Sequence, residues 1–98
     1  MFLDLHGHSL KKNIFIYGPE YPIFSSQYLR CRLLAKIMSN QTEIFRYWSG
    51  LWRVSENKRT TARAIINNEF NIVHSFTVEC SNGLYYLQSS KETHEFGE

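Results

Sequence analysis

The chain has 98 residues, enough for one small domain. With 43% hydrophobic and 20% charged residues, it is not a disordered, collagen-like or linker-like polypeptide. Its formal net charge of +2 is too small to mark a nucleic-acid binder, and no run approaches the roughly 18 apolar residues of a membrane span. Two cysteines, Cys31 and Cys80, make no disulfide framework, and Asp4 and His6 stand where a secretory signal needs an apolar core, so the expectation is a reducing, intracellular setting.

In chain order, Met1 to Leu5 is an apolar run broken only by Asp4, expected as a buried strand ending near His6-Gly7. Asn13 to Tyr17 is β-branched and aromatic and is punctuated by Gly18-Pro19, which predicts a short extended segment followed by a loop over 19–22. Ser25 to Ser39 predicts the clearest helix. Ser25 or Ser26 can cap it, Tyr28, Leu29, Leu33, Leu34, Ile37 and Met38 form an apolar stripe, and Asn40 terminates it. Residues 44–52 are aromatic without a clear period, either a short helix or an irregular stretch. Thr60 or Thr61 opens a second helix through Phe70, with Ala62, Ile65, Ile66 and Phe70 as its stripe. Residues 74–80 alternate, with Ser75, Thr77 and Glu79 on one side and Phe76, Val78 and Cys80 on the other, which is a strand pattern. Asn82-Gly83 is a turn, Leu84 to Leu87 reads as a further strand, and the polar, acidic tail is expected to add no element. Helices lying between strands imply an α/β fold, and in such folds sites lie beyond the C-terminal ends of strands. His6 and Glu79 both fall at such ends.

Charge is unevenly spread. From Arg30 to Arg63 there are eight basic and two acidic residues, a net +6, which suits either a solvated basic face or an acidic partner. His6 and His8, at i and i+2, point to one face of a strand and can share a site or serve structural hydrogen bonds. Glu79 among Phe76, Val78 and Cys80 is costly to bury unpaired. It reads either as the partner of one of the arginines or as a general base, since burial favours the protonated form of a carboxylate. His-x-x-Glu, His-Glu-x-x-His and Cys-x-x-Cys do not occur, and neither do a phosphate-binding glycine loop or a nucleophile elbow.

Two blocks of residues resemble a known family. The first holds Asp4, His6, Gly7, His8, Ser9, Lys12, Asn13, Phe15, Tyr17 and Gly18; the second runs from Lys58 through Thr61, Ala62 and Arg63 to Ser75, Phe76, Thr77 and Glu79. Both are similar, in order, to the cytosolic carboxypeptidase branch of the zinc metallocarboxypeptidases. The resemblance implies part of a mixed-sheet zinc carboxypeptidase fold with helices packed on the sheet, here residues 1–98 as the C-terminal portion of a catalytic domain. It implies His6 as a ligand of one Zn2+ ion, Glu79 as general base and then general acid, and Arg63 as a lining residue of the pocket for acidic C-terminal side chains. It implies hydrolysis of C-terminal residues, glutamates in particular, from protein substrates such as polyglutamylated tubulin, and a cytoplasmic location that includes cytoskeleton or cilium, with neither nucleic acid nor membrane as partner. His8, Lys11 and Lys12 would lie next to the zinc strand, within reach of an acidic substrate. The family's other zinc ligands, in a His-Pro-Gly-Glu-type loop, and its carboxylate-gripping Asn-Arg pair are not in this sequence. The chain alone is therefore expected to be inactive. The competing reading is a non-catalytic remnant or module that binds acidic tails.

Overall fold

The computed structural model describes residues 1–96. Its elements are strands β1 (Phe2–His8) and β2 (Ile14–Tyr17), helices α1 (Ser26–Gln41) and α2 (Ala62–Phe70), and strands β3 (Ser75–Ser81), β4 (Leu84–Leu87) and β5 (Glu92–Glu95). Single 3-10 turns occupy Tyr47–Ser49 and Glu56–Lys58. This is the mixed α/β class that the order of elements predicts.

The main sheet has the order β1-β3-β2, so the last of its strands in sequence is central. β1 runs parallel to β3 and β2 antiparallel to it. A central strand is covered on both faces, and in β3 Ser75, Phe76, Thr77, Glu79 and Ser81 are all buried. Phe76 and Ile16 form the core with Ala35 of α1 and Phe45, and half-buried Leu34, Val78 and Trp52 pack around them. The outer edge of β2 is covered by residues 44–52, through the bonds Ile14 N–H to Ile44 C=O (3.1 Å), Arg46 N–H to Ile14 C=O (2.7 Å) and Gly18 N–H to Leu51 C=O (2.9 Å). Gly50 permits this approach, because a Cβ there would strike the carbonyl of Ile16.

Several local expectations need correction. β1 reaches His8 and is an edge strand with Leu3 and Leu5 exposed, because nothing among the described residues packs over them. Ser25 caps α1, its Oγ accepting from Tyr28 N–H at 3.1 Å, but the helix passes Asn40 and ends at Thr42. Its buried face is Cys31 and Ala35, whereas Leu29, Leu33, Ile37 and Met38 of the expected stripe are exposed. Two small residues at i and i+4 let the helix approach closely, and a three-stranded sheet is too narrow to cover the broader stripe. In α2 the buried residues are Arg63 and Ala64, while Ile65 and Phe70 face outward. Thr61 stands at its N-cap, but its hydroxyl donates to Lys58 C=O at 2.7 Å instead of receiving a helix amide. Residues 44–52 are irregular apart from the 3-10 turn.

The acidic tail does form an element. β5 pairs antiparallel with β4, with His94 stacked on Tyr85 and Phe96 against the same ring. This ribbon is fastened to the sheet by Asn13, a buried residue with φ of 71°. Its side-chain amide donates to Tyr86 C=O at 2.7 Å and accepts from Tyr86 N–H at 2.6 Å, while its own N–H donates to Ser81 Oγ at 3.0 Å. Asparagine suits both demands, because it tolerates the left-handed region and its amide copies the pairing of a peptide group.

Candidate active site

Alternation along strands puts Asp4, His6 and His8 of β1, Thr77 and Glu79 of β3, and Phe15 and Tyr17 of β2 on one face of the sheet. The register sets His6 directly opposite Glu79 and Asp4 opposite Thr77. These two residues, 73 positions apart in sequence, therefore meet through strand pairing. His6 Nδ1 lies 3.9 Å from Glu79 Oε1, and His6 Nε2 lies 2.9 Å from Asp4 Oδ2. The Asp4 carboxylate holds one ring nitrogen and leaves the other turned toward Glu79. The side chain of His6 is half exposed, while that of Glu79 is 9% exposed.

The face floors a cavity of about 470 Å³. Asp4, His6, His8, Thr77 and Glu79 line it from the sheet, and Arg63 lines it from α2. Tyr17 and the exposed Arg53 and Lys58 complete much of the wall. The cavity thus gathers His6, Glu79 and Arg63, the three residues singled out in the sequence.

Arg63 is 5% exposed. Its Nη1 donates to Gly18 C=O at 3.1 Å, and its guanidinium carbon stands 5.9 Å from the centre of the Tyr17 ring. Among the described residues no carboxylate lies within ion-pair distance of it, so Glu79 is not neutralised by an arginine. Burial pulls the pKa of Arg63 down, and Tyr17 opposes this. A buried cation without a counter-ion on a cavity wall is costly until an anion fills the place. Burial is also the main cause raising the pKa of Tyr17 above 10.0, with the Glu79 charge adding to it and Arg63 working against it. The phenol therefore stays protonated at neutral pH and is available as a donor.

His8 is fixed by its backbone surroundings. Its Nδ1 accepts from the amides of Leu10 (3.1 Å) and Lys11 (3.0 Å), and its ring meets Phe15 edge-on at 5.2 Å. In the neutral ring that leaves the proton on Nε2. Arg53, Lys58 and Tyr17 are not singled out as site residues by the sequence; the signals they carry are the basic excess of residues 30–63 for Arg53 and Lys58, and membership of the two blocks for Tyr17 and Lys58.

A hydrolytic zinc takes about three protein ligands and a water. Among the described residues no three His, Cys, Asp or Glu side chains gather closely enough to hold a metal ion. These residues do not by themselves fit the metal: the chain offers one oriented imidazole and a carboxylate beside it. No helix is long and apolar enough to cross a membrane among the described residues.

No family model matches the chain. It is similar to "Cytosolic carboxypeptidase 2" of Danio rerio, 34% identical over 95 residues, covering 96% of this chain and 13% of that protein. It is also similar to "Cytosolic carboxypeptidase 1" of Danio rerio, at 33% over 102 residues, and to "Cytosolic carboxypeptidase 4" of Homo sapiens, at 30% over 102 residues. Each of those matches covers 87% of this chain and 9% of the relative. The chain spans about a tenth of the length of the curated relatives it matches.

Proposed function

Along nearly its whole length the chain belongs to the cytosolic carboxypeptidase family, and from that premise we propose that it contributes one wall of a carboxypeptidase centre that removes C-terminal glutamates from proteins. The observation that carries this reading is the register of β1 on β3, which sets His6 against Glu79 in a cavity also walled by a buried arginine that has no counter-ion among the described residues. In this reading Zn2+ is the cofactor, His6 is one of its ligands, and the remaining ligands lie outside the described residues.

The roles of this chain's residues follow from their positions. Glu79 is the general base: its carboxylate takes a proton from the attacking water and delivers it to the departing amine. Asp4 orients His6. Arg63 receives the acidic side chain of the terminal residue, with Arg53 and Lys58 supplying further positive charge at the rim. The phenol of Tyr17 is a donor beside Arg63. The substrate class is a protein with an acidic C-terminal tail, polyglutamylated tubulin among them, met in the cytoplasm or at the cytoskeleton or cilium.

The test is calorimetric titration of a peptide ending in two glutamates, beside the same peptide ending in lysine. Tighter binding of the acidic peptide, lost in Arg63→Gln, supports the reading; equal binding of the two overturns it. With added zinc the 98-residue chain is expected to release no glutamate, because one imidazole does not hold the ion. Release that vanishes in Glu79→Gln would overturn the placement of the other ligands outside these residues. The lack of a three-ligand cluster among the described residues favours a second reading, in which the chain binds acidic tails without cleaving them.

A further inference from the structure

The two edges of the main sheet are treated differently. Residues 44–52 cover the outer side of β2, whereas no strand among the described residues meets the outer side of β1. Native sheets blunt an open edge with lysine, proline, a bulge or a very short strand. β1 is seven residues long, Phe-Leu-Asp-Leu-His-Gly-His, with neither lysine nor proline, and its register on β3 runs unbroken from Phe2 to His8. On the face away from the cavity Leu3 is 46% and Leu5 75% exposed. An edge of this kind invites another strand.

The parity of β1 restricts what can pair with it. Its even-numbered residues commit their peptide groups to β3, beginning with Phe2 N–H to His74 C=O at 2.8 Å and ending with Asn82 N–H to His8 C=O at 3.0 Å. Leu3, Leu5 and Gly7 turn both groups outward. A second copy laid antiparallel and centred on Leu5 sets Leu5 against the partner's Leu5 and Leu3 against the partner's Gly7. Every outward N–H then faces an outward C=O. On the cavity face the same register puts Asp4 opposite the partner's His6 and His6 opposite the partner's Asp4. Each carboxylate thereby meets an imidazole, a complementary cross-strand pair. The neighbouring registers of the same parity lack this match: centring on Asp4 opposes two carboxylates, and centring on His6 opposes two imidazoles.

We propose that the chain self-associates through β1, forming a two-fold dimer whose continuous sheet has the order β2-β3-β1-β1-β3-β2. The second copy also contributes to the site. The partner's Asp4 comes beside the half-exposed His6, whose Nε2 already meets Asp4 Oδ2 of its own chain at 2.9 Å. On the other face Leu5 packs against the partner's Leu5, and the leucines of both copies leave water together. A single seven-residue edge covers less than a standard interface of about 1,600 Å². The dimer is therefore weak, and the single chain persists on dilution. The inference is independent of the catalytic reading, since the edge pairs whether or not the cavity takes a peptide.

The experiment is sedimentation velocity on the 98-residue chain from about 1 μM to about 1 mM, with monomer expected at the low end and dimer at the high end. Leu5→Lys opposes two ammonium groups on the two-fold axis and should weaken association roughly tenfold. Its far-UV circular dichroism should match the wild type, because the side chain is exposed. Disulfide cross-linking reads the register. In oxidising buffer Leu5→Cys should give a linked dimer, because the Cα atoms of directly opposed residues stand about 5.5 Å apart. Leu3→Cys, which faces the partner's Gly7, should link no faster than the wild type with its own Cys31 and Cys80. A chain still monomeric at about 1 mM overturns the proposal and leaves the edge to a strand of another protein. A dimer indifferent to Leu5→Lys, or one that Leu3→Cys links and Leu5→Cys does not, overturns it as well.

Discussion

The two faces of β3 come from one seven-residue strand and are built to different ends. Phe76 and Val78 face Ile16, Ala35 and Phe45, and that side is ordinary apolar packing. Ser75, Thr77, Glu79 and Ser81 face the other way and are just as buried, yet every one of them is polar. Ser75 and Ser81 are satisfied by carbonyls, Ser75 Oγ donating to Arg63 C=O at 2.7 Å and Ser81 Oγ to Leu84 C=O. Glu79 is different: its ion-pair neighbour is His6 at 3.9 Å, beyond hydrogen-bond reach. The contrast teaches that burial alone does not mark the core. The polar face is closed off by the elements around it, and its one charged member is left uncommitted at the cavity.

Substitutions can break or sharpen that contrast. The largest effect is expected on the apolar side: Phe76→Ala should cost about 3–5 kcal/mol in urea unfolding, because a fully buried ring leaves a cavity in a small core. Next is the clamp between the sheet and the β4–β5 ribbon. Asn13→Ala should cost ~1–3 kcal/mol, since it strands the N–H of Tyr86, removes the 2.7 Å donor from its C=O and places an alanine at positive φ. On the polar side Glu79→Gln should change thermal stability little, by less than ~1 kcal/mol, because only the long 3.9 Å contact with the half-exposed His6 is lost with the charge. A loss comparable to that of Phe76→Ala would show that Glu79 is part of the packing after all.

The smallest effect is one of pH. Tyr17 has its phenol pKa raised above 10.0 by burial and then by Glu79. The stability it contributes is present below that value and is lost as pH rises through the raised one. Tyr17→Phe should therefore flatten the alkaline end of a stability profile and leave the neutral range unchanged.

The legible parts of the fold were those with a short period. The alternation of 74–80 identified β3 and both its faces, and the His-Gly-His spacing put His6 and His8 on one side of β1. What escaped was what depends on a partner. The buried stripe of α1 is Cys31 and Ala35, because a narrow sheet admits small residues and leaves the leucines outside. β5 reads Glu-Thr-His-Glu and has no strand signature; it exists because β4 offers an edge and Tyr85 a surface for His94. In the cavity, His6 and Glu79 were visible through local pattern, whereas Arg53 follows an irregular stretch held by its bonds to β2 and Lys58 ends a 3-10 turn, neither of which has a period to read.

The edge position of β1 has a further consequence. In a parallel ladder every second residue turns both its amide and its carbonyl to the neighbouring strand. Phe2 N–H donates to His74 C=O and His8 C=O accepts from Asn82 N–H, so the even-numbered residues of β1 are the ones fastened to β3. Asp4 and His6 belong to that fastened set, while Leu3, Leu5 and Gly7 turn their peptide groups outward, where no strand among the described residues meets them. Amide hydrogen exchange along β1 should therefore alternate like a comb, slow at even residues and fast at odd ones. A further strand could engage the fast teeth without loosening the slow ones from which the His6–Glu79 pair hangs.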